Sequence, residues 1–110
     1  YMSTEVVHQP DKNRYVIFLD DEEVGEACYT PREDRWVFDH TFVNPLHQGK
    51  NLAAILVRDA FVDVRENQHV KVEPTCSYVV RYMEKHPDTH DLLALPIEEA
   101  VAACKLPPRG

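Results

Sequence analysis

Three stretches of this sequence hold residue types able to do chemistry, and the first centres on a cysteine. Cys76 lies in Pro74-Thr75-Cys76-Ser77-Tyr78, where Pro74 stops a short strand and Thr75 can cap a helix. A helix N-terminus carries the positive end of the backbone dipole, which favours thiolate over thiol, and a thiolate can accept an acyl group as a thioester. A small buried hydrophobe is the usual role of an unpaired cysteine and the one that the residues alone favour, with the nucleophile as the alternative. His40 is the second candidate. It falls in residues 35–43, an alternating segment that puts Trp36, Phe38, His40 and Phe42 on one face of a strand. There it could act as a base or orient a thiol, or be a hydrogen-bonded histidine of the core. The third stretch is Leu46-His47-Gln48-Gly49-Lys50-Asn51-Leu52-Ala53, a glycine loop opening a helix. Unpaired N–H groups and the helix dipole make such a place a phosphate site. Gly49 allows close backbone approach and left-handed torsions, and Lys50 adds charge. An ordinary glycine-containing helix entry is the alternative.

Metal chemistry is not expected. Among the histidines only His86 and His90 have ligand-like i, i+4 spacing, and Pro87 between them opposes the helix that would present both. Cys28, Cys76 and Cys104 are widely spaced and odd in number, which gives neither a disulfide framework nor a CxxC zinc pair.

The elements that must position these residues can be read from periodicity. Strands are expected over residues 5–9, 14–20, 24–30 and 35–43, with Gly25 marking a bulge or a close backbone approach. Residues 50–67 show the clearest helical stripe, formed by Ala53, Leu56, Val57, Ala60, Phe61 and Val64. A short strand at 70–73, a helix at 75–85, a polar loop at 86–90 and a last helix at 96–105 complete the chain. The order predicts an α+β fold in which the main helix crosses from the fourth strand to a parallel neighbour.

Size and composition narrow the function. A chain of 110 residues makes one domain. Its net charge is −7, with Lys and Arg scattered, so a nucleic-acid surface is not expected. No apolar run approaches the ~18 residues of a membrane span. The first residues lack the basic and apolar regions of a secretory leader, so an intracellular, cytoplasmic protein is expected.

Together, Phe38-Asp39-His40-Thr41-Phe42-Val43, Gln48-Gly49-Lys50-Asn51-Leu52-Ala53, Val70-Lys71-Val72-Glu73-Pro74-Thr75-Cys76-Ser77-Tyr78-Val79 and Tyr82 with Glu84-Lys85-His86-Pro87 resemble the short YjdJ-like N-acetyltransferases of the GNAT superfamily, which have a candidate catalytic cysteine. The resemblance spans residues 14–93 and implies a GNAT-like α+β fold, a mixed sheet with helices on its faces. It implies acetyl-CoA as cosubstrate and an unidentified amine as acceptor. By the same resemblance the backbone of Phe42 and Val43 would hydrogen-bond pantetheine, Gln48 to Ala53 would cradle the pyrophosphate, and Cys76 would sit near the acyl thioester with His40 in reach.

One departure is Asn51, where the family usually has glycine; its side chain is expected to crowd the pyrophosphate, although Asn tolerates unusual torsions. Strand alternation puts Asp39 opposite His40, so no carboxylate base is evident. Either Cys76 takes the acetyl group and passes it on, or His40 or a water chain deprotonates the amine for direct transfer. The competing reading is a non-catalytic CoA-binding or protein-interaction module. Residues 1–93 are expected to form the domain, with 94–110 a C-terminal extension of short helix and frayed tail.

Overall fold

The computed structural model describes residues 3–105. The chain begins with four antiparallel strands, β1 (Thr4–Gln9), β2 (Arg14–Leu19), β3 (Glu22–Pro31) and β4 (Arg35–Val43). A helix α1 (Leu52–Asp63) then carries the chain to β5 (Lys71–Pro74), which pairs parallel to β4 and completes a sheet of order β1-β2-β3-β4-β5. Two further helices follow, α2 (Ser77–Lys85) and α3 (Ile97–Ala103). No helix among the described residues is long and apolar enough to cross a membrane.

Turn chemistry sets the register. Asp20 and Asp21 have φ of 49° and 71° and join β2 to β3, the positive-φ pair that a two-residue hairpin favours and that Asp accepts. Val24 is an extra residue opposite the Ile17–Phe18 step, a bulge beside Gly25. A Cβ on Gly25 would meet the Phe42 carbonyl oxygen at 2.8 Å, so this glycine lets β4 approach β3 closely.

A second bulge decides the site. Cys28 pairs with His40 but Tyr29 pairs with Phe38, which leaves Asp39 without an opposite residue. Trp36 and Phe38 face the helices: Phe38 meets Phe61 of α1 edge-on, and Trp36 stacks on Tyr29. Past the bulge the alternation is reversed, so Thr41, opposite Ala27, and Val43 take the helix side. His40, opposite Cys28, and Phe42, opposite Glu26, take the other side. The expectation that Trp36, Phe38, His40 and Phe42 share one face is therefore corrected. Asp39 does not oppose His40 either, because its carboxylate accepts from Thr30 at 2.7 Å on the His40 side.

The core lies between the helix-facing side of the sheet and the buried residues of α1 and α2, with Tyr15, Ile17, Leu56, Phe61, Val79 and Met83 within it. In α1 the buried stripe begins at Leu52, and Ala53 is only half-buried. The α-helix is shorter than the periodicity suggested. Asn51 before it is left-handed (φ 61°, ψ 23°), and after Asp63 the chain continues as a π-helical turn, Val64–Gln68, that ends at left-handed His69. The π turn keeps Val64 buried.

Of residues 86–90, expected as loop, 87–90 form part of a 3₁₀ turn, Pro87–Leu92, with His86 before it. The rings of His86 and His90 lie 2.6 and 2.7 Å from the Tyr82 and Met83 carbonyls, so both cap the end of α2. Beyond residue 93 the chain stays packed. Ala94 N–H donates to Val72, Ala100 is buried, and Ile97 joins the core. The expected frayed tail, residues 106–110, lies outside the described residues.

Candidate functional site

β5 pairs with only the first part of β4, from Arg35 to Phe38. At Pro74 the chain turns away, and the N–H groups of Thr75 and Cys76 both donate to the Phe38 carbonyl, at 3.0 and 3.1 Å. From Asp39 to Val43 no strand among the described residues covers the β5 side of β4, so the two parallel strands open as a wedge. The phase of the β3–β4 ladder shows which groups face the opening. Asn44 N–H donates to the Val24 carbonyl at 2.7 Å, which puts the polar groups of Phe42 and His40 toward β3. Those of Thr41 and Val43 point into the wedge. A chain lying there as an added strand would use Thr41 and Val43, not the adjacent Phe42 and Val43.

The wedge leads to a cavity of about 390 Å³. Its strand wall is Thr41 and Val43, its loop wall His47, Gln48, Gly49 and Asn51, and its helix walls Leu52, Ala53 and Ala54 of α1 with Tyr78 of α2. Asn44 accepts from Leu46 N–H and starts a 3₁₀ turn, Pro45–His47. Gly49 then takes φ 87°, and a Cβ there would have nothing within 4 Å, so this backbone is open to an approaching group. Asn51 occupies the left-handed position that glycine fills best and Asn next best, which explains the residue type. Its carbonyl accepts from Ile55 N–H, leaving the first-turn N–H groups of Leu52, Ala53 and Ala54 without intrahelical acceptors. Exposed Lys50 reaches His47 Nδ1 at 3.3 Å, and His47 Nε2 lies 4.0 Å from Glu22.

Cys76 is the N-cap of α2, one residue later than the sequence suggested, and is half-buried. Its thiol makes no capping bond; Sγ lies 3.5 Å from Thr41 Oγ1. Cys76 does not itself line the cavity, whereas Thr41 does. Cys104 Sγ–H donates to the Thr75 carbonyl at 3.2 Å, so α3 ends beside the same turn. Burial pushes the Cys104 thiol up, and a charge on Cys76 would push it further. Burial, with Glu26 beside it, pushes Cys28 up to about 11.

His40 is not brought to this site. It is exposed on the other side of the sheet, with Nε2 3.5 Å from Glu26. The Glu26 carboxyl is held low chiefly by its hydrogen bond from Arg14, at 2.7 Å. Thr41 and Tyr78 are the lining residues that reading for chemistry passed over. Tyr78 stands within the cysteine motif; Thr41 reaches this wall through the bulge at Asp39, which leaves no mark in strand periodicity. Burial raises the Tyr78 phenol, so it stays a proton donor at neutral pH.

The fold and wedge define an α+β domain with an open slot between two parallel strands and a helix N-terminus at its mouth. The family model of the GCN5-related N-acetyl-transferases matches residues 14–92, and the chain belongs to that family. Among curated proteins none matches the chain.

Proposed function

We propose that this protein binds acetyl-CoA in the wedge and transfers the acetyl group to an amine. One observation carries the reading: the loop at Gly49 and the first turn of α1 present open backbone N–H groups beside the unpaired groups of Thr41 and Val43. The loop and first turn suit a pyrophosphate, and the strand edge suits the amides of pantetheine. Asn51 supports the fit, since its left-handed backbone is what the loop needs before α1.

Cys76 is proposed as a participant. In the covalent route its thiolate attacks the acetyl thioester carbonyl, the acetyl group passes to sulfur and CoA leaves as thiolate, which takes a proton. The amine then attacks the cysteine thioester, loses its proton and restores the thiol. Direct transfer is the second reading, favoured by the position of Cys76 behind Thr41 instead of on the cavity wall. His40 faces away from Cys76, so neither route assigns it contact with the thiol.

The test is a titration with CoA followed by backbone amide shifts. The proposal expects Gly49, Lys50 and Leu52 to move first. Saturating CoA that leaves these amides unshifted rejects the assignment.

A further inference from the structure

The bulge at Asp39 delivers Thr41 to the helix-facing side, where its hydroxyl meets the Cys76 sulfur and lines the cavity at the same time. Cys76 could instead have capped α2 through its side chain, as many N-cap residues do, and it does not. Its sulfur is committed to Thr41.

We infer that Thr41 is the positioning residue for Cys76, holding the sulfur at the edge of the wedge by a hydrogen bond that reverses direction when the thiol ionises. The inference rests on the proposed participation of Cys76. A hydroxyl suits both states. Its lone pairs accept from a thiol S–H, and its own O–H donates to a thiolate. In either state the sulfur keeps the same partner, and so the same place beside the cavity-lining Thr41. A valine would fill the same volume without doing either. Serine would keep the hydroxyl and lose the methyl.

That contrast supplies a test needing no acetyl-CoA. Alkylation of Cys76 by iodoacetamide is followed by peptide mass in the full chain, with Cys28 and Cys104 as internal references. Thr41→Val and Thr41→Ala should slow Cys76 alkylation about tenfold, and Thr41→Ser should stay within about twofold of wild type. A packing role for Thr41 predicts another order, with Thr41→Val at the wild-type rate and Thr41→Ser departing from it together with Thr41→Ala. Either that order, or wild-type rates in both Thr41→Val and Thr41→Ala, overturns the inference. If Thr41→Val does not fold, Thr41→Ala against Thr41→Ser carries the same comparison. Absence of CoA binding or acetyl transfer in the wild type would sink the proposed function and leave the alkylation result standing.

Discussion

Replacing Gly49 by alanine separates the loop's conformational role from its contact with a ligand. At φ 87° a side chain is strained whatever the surrounding space. An L-residue in left-handed backbone costs roughly 1–2 kcal/mol, and the lost freedom of the unfolded chain returns about 0.4–1 kcal/mol. The net is ~1 kcal/mol, worth about 4–8 °C of melting temperature in a domain of this size. No clash adds to this, because the new Cβ meets nothing within 4 Å. It would stand in the opening where the pyrophosphate is proposed to lie. CoA affinity should therefore fall by about tenfold, or ~1.4 kcal/mol, beyond the stability loss. Calorimetric titration with CoA beside a thermal melt reads both quantities. A lowered melting temperature with unchanged affinity would refute the loop assignment. Asn51→Gly is the companion: it relieves left-handed strain two residues later, so affinity should be equal or better, and a large loss would mean that the Asn51 side chain itself contacts the ligand.

Cys76→Ser and Cys76→Ala should retain CoA binding and lose most acetyl transfer; wild-type rates in both would exclude the covalent route and leave direct transfer. His40→Ala, on the far side of the sheet, should keep CoA affinity and transfer within about twofold, since exposed substitutions rarely matter by more than ~0.5 kcal/mol; a collapse of transfer at intact affinity would give His40 a role the geometry does not. Gly25→Ala should cost about 1–3 kcal/mol, because its Cβ would press on the Phe42 carbonyl at 2.8 Å; an unchanged melting temperature would show that the strands can part. Acid should destabilise the fold in two stages. Burial, partly opposed by Asp63, lowers His8 below 6.5, so stability present above that value is lost as pH falls through the lowered folded-state value. Burial raises Asp63, but hydrogen bonds from Tyr15, Asn67 and Gln68 outweigh it and hold the carboxyl below 3.8, so a second loss follows below that pH. Melting temperature against pH should flatten in the upper stage for His8→Gln; an unaltered curve would remove His8 from the account.

Much of the scaffold follows from local chemistry. Alternation over residues 35–43 marks β4 to the residue, and the Leu56, Val57, Ala60, Phe61 repeat marks the buried face of α1, because burial on one side enforces a period on the chain. Gly25 signals both a neighbouring bulge and a close strand approach, since removing Cβ serves little else inside a strand. Gly49 and Asn51 mark a loop of left-handed backbone by their types alone.

The composition of the site was decided by tertiary structure. A one-residue bulge at Asp39 leaves residue types unchanged and reverses every side chain after it, which moves Thr41 to the helix side and His40 away. Where β5 leaves β4 depends on the Phe38 carbonyl capturing two N–H groups from a segment 37 and 38 residues later, a contact that no local pattern encodes. Local pattern is enough to show that a glycine loop opens an amphipathic helix and that a cysteine starts the next one. Only the packing of α2 against β4 decided that this cysteine meets a threonine hydroxyl, because strand register and bulge position are settled by partners far apart in the chain.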